Sequence, residues 1–312
     1  MLLKEQYEKL LALVERVDDD AVGAMLTTLH PSDIADFIEV LEEEAKKYVF
    51  SLLDSRIASD VIAELNVHAK VEILEDIESN RLTAIIDEMD SDDAADIFDE
   101  LKPYQRLAVL EGIDEEDRAE VTELLKYEDD TAGGIMSLEF IYAYEFQTVQ
   151  EIINLLRIRR EQIEQVHFVY VVDKKFHLRG RVRFVELLLA DPKTRISEVM
   201  EPVTYSIKPD MDQEVVAKIF KKYDSPSLPV IDTEGKLLGR ITFDDVMDVV
   251  DEEATEDFLR LANVDVGERV FADPLSSAKK RLPWLSVNLL TALLAAWVVG
   301  LFESTIGQFA FL

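Results

Sequence analysis

LPVIDTEGKLLGRITFDDVMDVV, residues 228–250, packs four structural signals into one short stretch. Ser227–Asp232 is β-branched and apolar and reads as a strand, and Thr233–Lys236 is a glycine-bearing turn. Gly239–Phe243 is a second strand that opens on glycine, and Asp244–Val250 is an acidic helix. The same order occurs upstream: strand His167–Asp173, strand Gly180–Phe184, helix Val185–Ala190. Asp173 to Asp232 and Gly180 to Gly239 are both offset by 59 residues. An α/β unit has been duplicated in tandem.

Before this pair lies Lys126–Gly134, acidic, glycine-containing and aperiodic, which reads as a linker. Between residues 30 and 125 the chain repeats every 12 residues. Each unit ends on an apolar residue: Leu41, Leu53, Leu65, Ile77, Met89, Leu101, Ile113, Leu125. Four residues earlier stand Phe37, Val49, Val61, Ile73, Ile85, Ile97, Val109 and Val121. All but one of the residues next to those are apolar as well, Thr122 being the exception. Positions i, i+1 and i+4 share a helix face, so each unit predicts a short helix and a turn, with Asp33, Asp54, Ser91 and Asp114 as helix starts. A helix of nine or so residues is not stable alone, whereas stacked units bury one continuous core.

After the pair the chain changes character. Lys279-Lys280-Arg281 precedes an uncharged run from Leu282 to Phe302, whose 21 residues would span ~31 Å as a helix, about one bilayer core. The basic flank places the preceding body on the cytoplasmic side. That body is very acidic: 65 Asp and Glu against 33 Lys and Arg, a net charge of −32. Such a surface repels nucleic acid and gathers cations. Cysteine is absent, which excludes disulfides, thiolate nucleophiles and zinc–thiolate sites. The four histidines are scattered, and no GxSxG, Walker A or GxGxxG motif occurs, so the expectation is a protein that is not an enzyme.

Residues 228–250 resemble the strand–turn–strand–helix of a CBS domain, and 134–251 resemble a CBS pair. With the helical repeat in front, DDTAGGIMS (Asp129–Ser137), DEEATEDFLRL (Asp251–Leu261) and an apolar span behind, the whole chain resembles the MgtE family of magnesium transporter-channels. The expected fold is therefore multidomain: an all-α superhelical repeat domain (1–127), a linker (128–135), a tandem α/β CBS pair (136–197 and 198–257), a connecting plug helix region (258–281), one transmembrane helix (282–302) and a short end (303–312). The family carries five membrane helices, so the chain reads as a truncated product that keeps the gate and lacks the pore.

The resemblance implies Mg2+ as ligand, a homodimer, contact with membrane lipid through the apolar span, and a multi-pass protein of the cell membrane. By resemblance, Asp60, Asp92 and Asp96 match the repeat-domain metal ligands. Glu214, Asp224, Asp245, Asp248, Glu253, Glu256 and Asp257 match those of the second CBS module and its exit helix. The residues give independent support. Asp245, Asp248, Glu252 and Glu256 form one stripe on a helix, and no lysine occurs between Ile241 and Leu261 to relieve it. Asp87, Asp90, Asp92, Asp93 and Asp96 form a second cluster. Facing carboxylates repel when Mg2+ is scarce and draw together around it, which predicts closure of the pore at high internal magnesium. An alternative is adenine-nucleotide sensing with ATP as ligand, since Gly239-x-x-Thr242-x-x-Asp245 matches the ribose-contacting pattern of CBS domains. A membrane-tethered interaction scaffold is a third reading, because helical repeats present concave surfaces to partners.

Overall fold

The computed structural model describes residues 4–159, 167–261, 286 and 289–297, without the side chains of residues 116, 252, 256, 257 and 259–261. The chain forms two compact units, Met1–Glu253 and Ala254–Leu312.

The first unit opens with ten short helices: α1 (Lys4–Glu15), α2 (Asp19–Leu26), α3 (Pro31–Glu39), α4 (Glu43–Ser51), α5 (Ser55–Glu64), α6 (Val67–Leu74), α7 (Ser79–Ile86), α8 (Ser91–Glu100), α9 (Pro103–Gly112) and α10 (Glu115–Leu124). The 12-residue period is present, and packing gives it a second meaning. Helices two apart lie together: α3 with α5, α4 with α6, α5 with α7, α7 with α9, α8 with α10. Two sequence units therefore make one structural step.

The residues from Phe37 to Val121 that recur every 12 positions all belong to one buried core. Complete burial of such a side chain contributes about 1.5–3 kcal/mol, which offsets the ordering cost that a lone short helix cannot meet. The period slips at its end. Leu124 is 2% exposed and Leu125 is 39% exposed, because α10 turns its last turn toward the core of the following domain.

Two predicted helix starts move. Asp33 lies inside the first turn of α3, where His30 holds the cap position and accepts from the Ser32 amide. Ser91 is the first helical residue of α8, and Asp90 precedes it without a side-chain cap. Asp54 does cap α5, accepting the Ile57 amide at 2.9 Å.

The α/β part contains β1 (Tyr142–Tyr144), α11 (Val149–Ile158), β2 (Phe168–Val172), β3 (Leu178–Arg183), α12 (Phe184–Leu189), α13 (Ile196–Val199), α14 (Gln213–Tyr223), β4 (Ser227–Ile231), β5 (Leu237–Thr242) and α15 (Phe243–Leu261). β1 pairs parallel with β2, β2 antiparallel with β3, and β4 antiparallel with β5. Asp173 and Asp232 mark the duplication because each holds its hairpin turn: Asp173 accepts the amides of Lys175 and His177, Asp232 those of Glu234 and Lys236. The modules join through a buried Tyr170–Ser227 hydroxyl pair at 2.9 Å and through their hairpin tips, where Leu178 donates to Gly235 and Leu237 to Phe176.

Each module's sheet is completed by a segment from beside the other. Ser137 and Arg240 exchange two backbone hydrogen bonds (2.8 and 2.9 Å) on β5, as Glu201 and Arg181 do (2.9 and 2.9 Å) on β3. This explains the glycines that open the second strands. A Cβ on Gly239 would sit 2.7 Å from the Ser137 carbonyl oxygen, and one on Gly180 2.7 Å from that of Glu201. Backbone must yield in either case. Residues 131–137 consequently belong to the core of the second module: Ala132 and Met136 pack with Val216, Phe220, Leu228 and Ile241.

In the second unit, residues 289–297 are helical, with Leu289, Leu290, Leu293, Leu294 and Trp297 exposed. Among the described residues no helix is long and apolar enough to cross a membrane. Most of the expected plug region (258–281) and of the apolar span (282–302), and all of 303–312, lie outside the described residues.

Gly239→Ala is expected to destabilise the chain by about 1–3 kcal/mol through this overpacking, read as a lowered midpoint in thermal or urea unfolding. An unchanged midpoint would show that the Ser137 edge yields freely.

Candidate metal-sensing site

The linker delivers the helical repeats directly onto the second CBS module. Ala95 of α8 and Leu124 of α10 pack into the core that holds Met136, Val216 and Val246. The linker backbone is fixed to the same module: the Ala132 amide donates to Met211 and that of Gly133 to Pro209, while the Asp130 carbonyl accepts from the Gln213 amide. The N-terminus of α8 is thus carried against the end of β5 and the start of α15.

At that junction carboxylates face one another. Burial pushes the Asp92 carboxyl well above its usual 3.8, and the charges of Asp245, Asp93, Glu139 and Asp90 push it further. Its Oδ1 is buried with no hydrogen-bond partner. Asp93 is raised to about 7 by the protein packed round it, then by Asp96, Asp90 and Asp245, with Lys70 opposing. Asp93 itself is exposed on the surface of α8. Asp245 is raised by burial and by Asp244, against the pull of Thr242 and Arg240. Thr242 holds it firmly, its amide donating to Oδ2 at 2.9 Å and its hydroxyl at 2.6 Å.

The structure therefore brings together Asp92 and Asp245 of the expected ligands, with Asp96 alongside through Asp93. Others stand apart. Asp60 is exposed on α5, which packs chiefly on α3 and α7. Glu214 and Asp224 lie near opposite ends of α14, Glu214 accepting from Lys218 and Asp224 ending the helix in a left-handed turn (φ 47°). Glu253 accepts from Gln213 Nε2 at 3.0 Å. Asp248 is exposed on α15, one turn beyond Asp245. The side chains of Glu256 and Asp257 lie outside the description. Thr242 and Asp245, the pair matching the nucleotide pattern, contact each other.

Among the described residues no three carboxylates, histidines or cysteines converge to hold a metal directly. The donor set nevertheless suits one kind of ion. It is all carboxylate oxygen, and one of those oxygens is buried and unsatisfied beside other negative charges. That fits a hard divalent cation that keeps part of its water shell. Glu139, which touches the site, escaped the sequence reading because a lone glutamate among Ser137, Leu138 and Phe140 carries no periodic signal.

Residues 29–130 match the family model described as the MgtE intracellular N domain, and 196–252 match a CBS domain. A magnesium transporter MgtE of Thermus thermophilus is 40% identical over 185 residues, 59% of this chain and 41% of that protein. The MgtE of Enterococcus faecalis is 39% identical over 186 residues, 60% of this chain and 41% of its own. A crystal structure of the cytosolic domain of the Mg2+ channel MgtE in complex with ATP aligns with TM-score 0.74 at 34% identity, covering 78% of this chain and 99% of that one. The chain belongs to the MgtE family. A structure of the soluble part of a magnesium transporter aligns with TM-score 0.72 at 29% identity, covering 80% and 99%. The likeness carries the fold, helical domain followed by CBS pair. The chain spans about 41% of the length of the curated MgtE proteins it matches.

The raised carboxyls fix a sign for pH. A carboxyl whose folded pKa exceeds its unfolded value binds more protons when folded, so stability is fully present below 3.8 and is lost as pH rises through the folded value. For Asp93 that window runs from 3.8 to about 7. In chelator, the thermal midpoint should fall between pH 5 and pH 8, and Asp93→Asn should flatten the slope. A slope identical in the two proteins would contradict the assignment.

Proposed function

We propose that this chain is the regulatory body, with the start of the membrane part, of a protein that carries Mg2+ across the cell membrane. The observation that supports this best is Asp92 of the helical repeats set against Asp245 of the second CBS module, with a buried oxygen left unpaired. Two like charges about 4 Å apart at an effective dielectric near 20 repel by roughly 4 kcal/mol. The closed arrangement is then disfavoured by its own carboxylates unless positive charge or protons neutralise them. Bound Mg2+ supplies that charge. The residues of this chain do the rest: Thr242 orients Asp245, Ala95 and Leu124 seat α8 and α10 in the core of the second module, and α15 precedes the apolar segment in the chain. High internal magnesium favours closure and shuts the conduction path, a negative feedback. Asp60, Asp96, Asp248, Glu253, Glu256 and Asp257, with Glu214 and Asp224, are further ligands in this reading. The body lies in the cytoplasm of a multi-pass homodimer.

A second reading has its own support. The related cytosolic domain was crystallised in complex with ATP, and here Thr242, which ends β5, bonds Asp245 in the first turn of α15, the two residues that match the ribose-contacting pattern. ATP and Mg2+ then act on the same CBS module, and titration of each alone and both together separates them.

Adding Mg2+ to the whole chain should protect the Lys126–Gly134 linker from protease and reduce the radius of gyration. Asp92→Asn combined with Asp245→Asn should leave the chain compact in chelator and nearly unresponsive to Mg2+. If the wild-type chain showed neither protection nor compaction at millimolar Mg2+, the sensing role would be lost.

A further inference from the structure

The first N–H groups of α8 need acceptors that lie outside their own helix. The side chain at the cap position, Asp90, makes no cap hydrogen bond to them. Glu139, 48 residues along the chain, does. Its Oε1 accepts the Ser91 amide at 3.0 Å and its Oε2 accepts the Ser91 hydroxyl at 2.9 Å. Ser137 donates to the same Oε2 at 2.6 Å, and the Ser91 hydroxyl accepts the Leu138 amide at 3.0 Å. Ser91 is 4% exposed and Ser137 is 2% exposed. This is a charge-assisted cap donated by one domain to a helix of another, and a carboxylate is the group that a helix N-terminus favours.

The cap is also rigidly mounted. Ser137 is held on β5 by its two bonds to Arg240, and β5 runs straight into Thr242 and Asp245. The bridge to β5 therefore positions the acceptor that holds α8, and the end of the same strand positions a carboxylate, Asp245 of α15, that repels it. We infer that Glu139 is a positioning residue, a metal-independent latch that fixes α8 on the second CBS module and thereby sets how much Mg2+ closure requires. The effect on Mg2+ rests on the sensing role proposed above, while the latch itself needs no ion.

Glu139 acts in two opposed ways. Its oxygens hold Ser91, while its charge adds to the repulsion on Asp92. Substitution separates them, because Glu139→Gln keeps an acceptor and removes the charge, whereas Glu139→Ala removes both. The chain has no cysteine, so dyes on Asp20→Cys and Lys193→Cys report docking of the whole chain by energy transfer. In EDTA, Glu139→Ala should lower the docked-to-undocked ratio about tenfold and Glu139→Gln should equal or exceed the parent. Adding Ser91→Ala to Glu139→Ala should cost little more, since both delete one interaction. Under rising Mg2+ the Glu139→Ala midpoint should move severalfold higher. Equal, undiminished docking of Glu139→Ala and Glu139→Gln would overturn the latch, as would additive losses in the pair with Ser91→Ala. A Mg2+ response in which Glu139→Ala tracks the parent refutes the latch and leaves sensing intact. A parent blind to Mg2+ whose docking still falls with Glu139→Ala refutes sensing and leaves the latch standing. Should Glu139→Ala fail to fold by circular dichroism, Ser91→Ala alone carries the same comparison.

Discussion

A carboxylate with one oxygen buried and unpaired, set against carboxylates from another domain, is an arrangement that proteins usually avoid, because the charged form loses hydration there and meets repulsion. Asp92 is in that position, and the architecture around it can be understood as what makes the position tenable. The seating of α8 through Ala95, the binding of the linker to residues 209–213, and the cap from Glu139 all press the repeats onto the CBS pair. Against them stands electrostatic repulsion among Asp92, Asp93, Asp245 and Glu139. A balance of a few kcal/mol is what a ligand-operated switch requires, since a ligand shifts an equilibrium only by its differential affinity for the two states.

The exchange of edge segments between the CBS modules gives this balance a stiff base. Because Ser137 completes the sheet of the second module, the approach to Glu139 and the exit to Asp245 are parts of one hydrogen-bonded strand pair. Gly239 is needed at that crossing because any side chain there meets the Ser137 carbonyl. The duplicate crossing at Gly180 and Glu201 has the same geometry but a different chemistry, with Arg181 bound to Glu201 at 3.0 Å and stacked on Phe168 at 4.0 Å. Among the described residues, it is Asp245 of the second module and Glu139 beside its edge whose charges act on Asp92 of the repeats.

Much of the fold was legible because its signals are local and periodic. The 12-residue repeat marked the buried face from Phe37 to Val121, and the 59-residue offset marked the hairpins. The errors have local causes. Asp33 and Ser91 have good helix-starting side chains but are displaced, one by His30 and Pro31, the other by an acceptor that arrives from 48 residues away. The site was half legible. Asp92 and Asp245 were both among the acidic residues expected to act, yet nothing in either cluster says that these two face each other while Glu214 and Asp224 occupy opposite ends of α14.

The sequence by itself determined the order of modules, the periodic cores, the surplus of acid and the apolar segment that follows, because each is written in composition and spacing along the chain. The tertiary structure alone decided which carboxylates meet, that two 12-residue units make one structural step, and that Glu139 caps α8. These depend on pairings between distant segments, made by backbone hydrogen bonds and burial, and such pairings leave no period in the sequence.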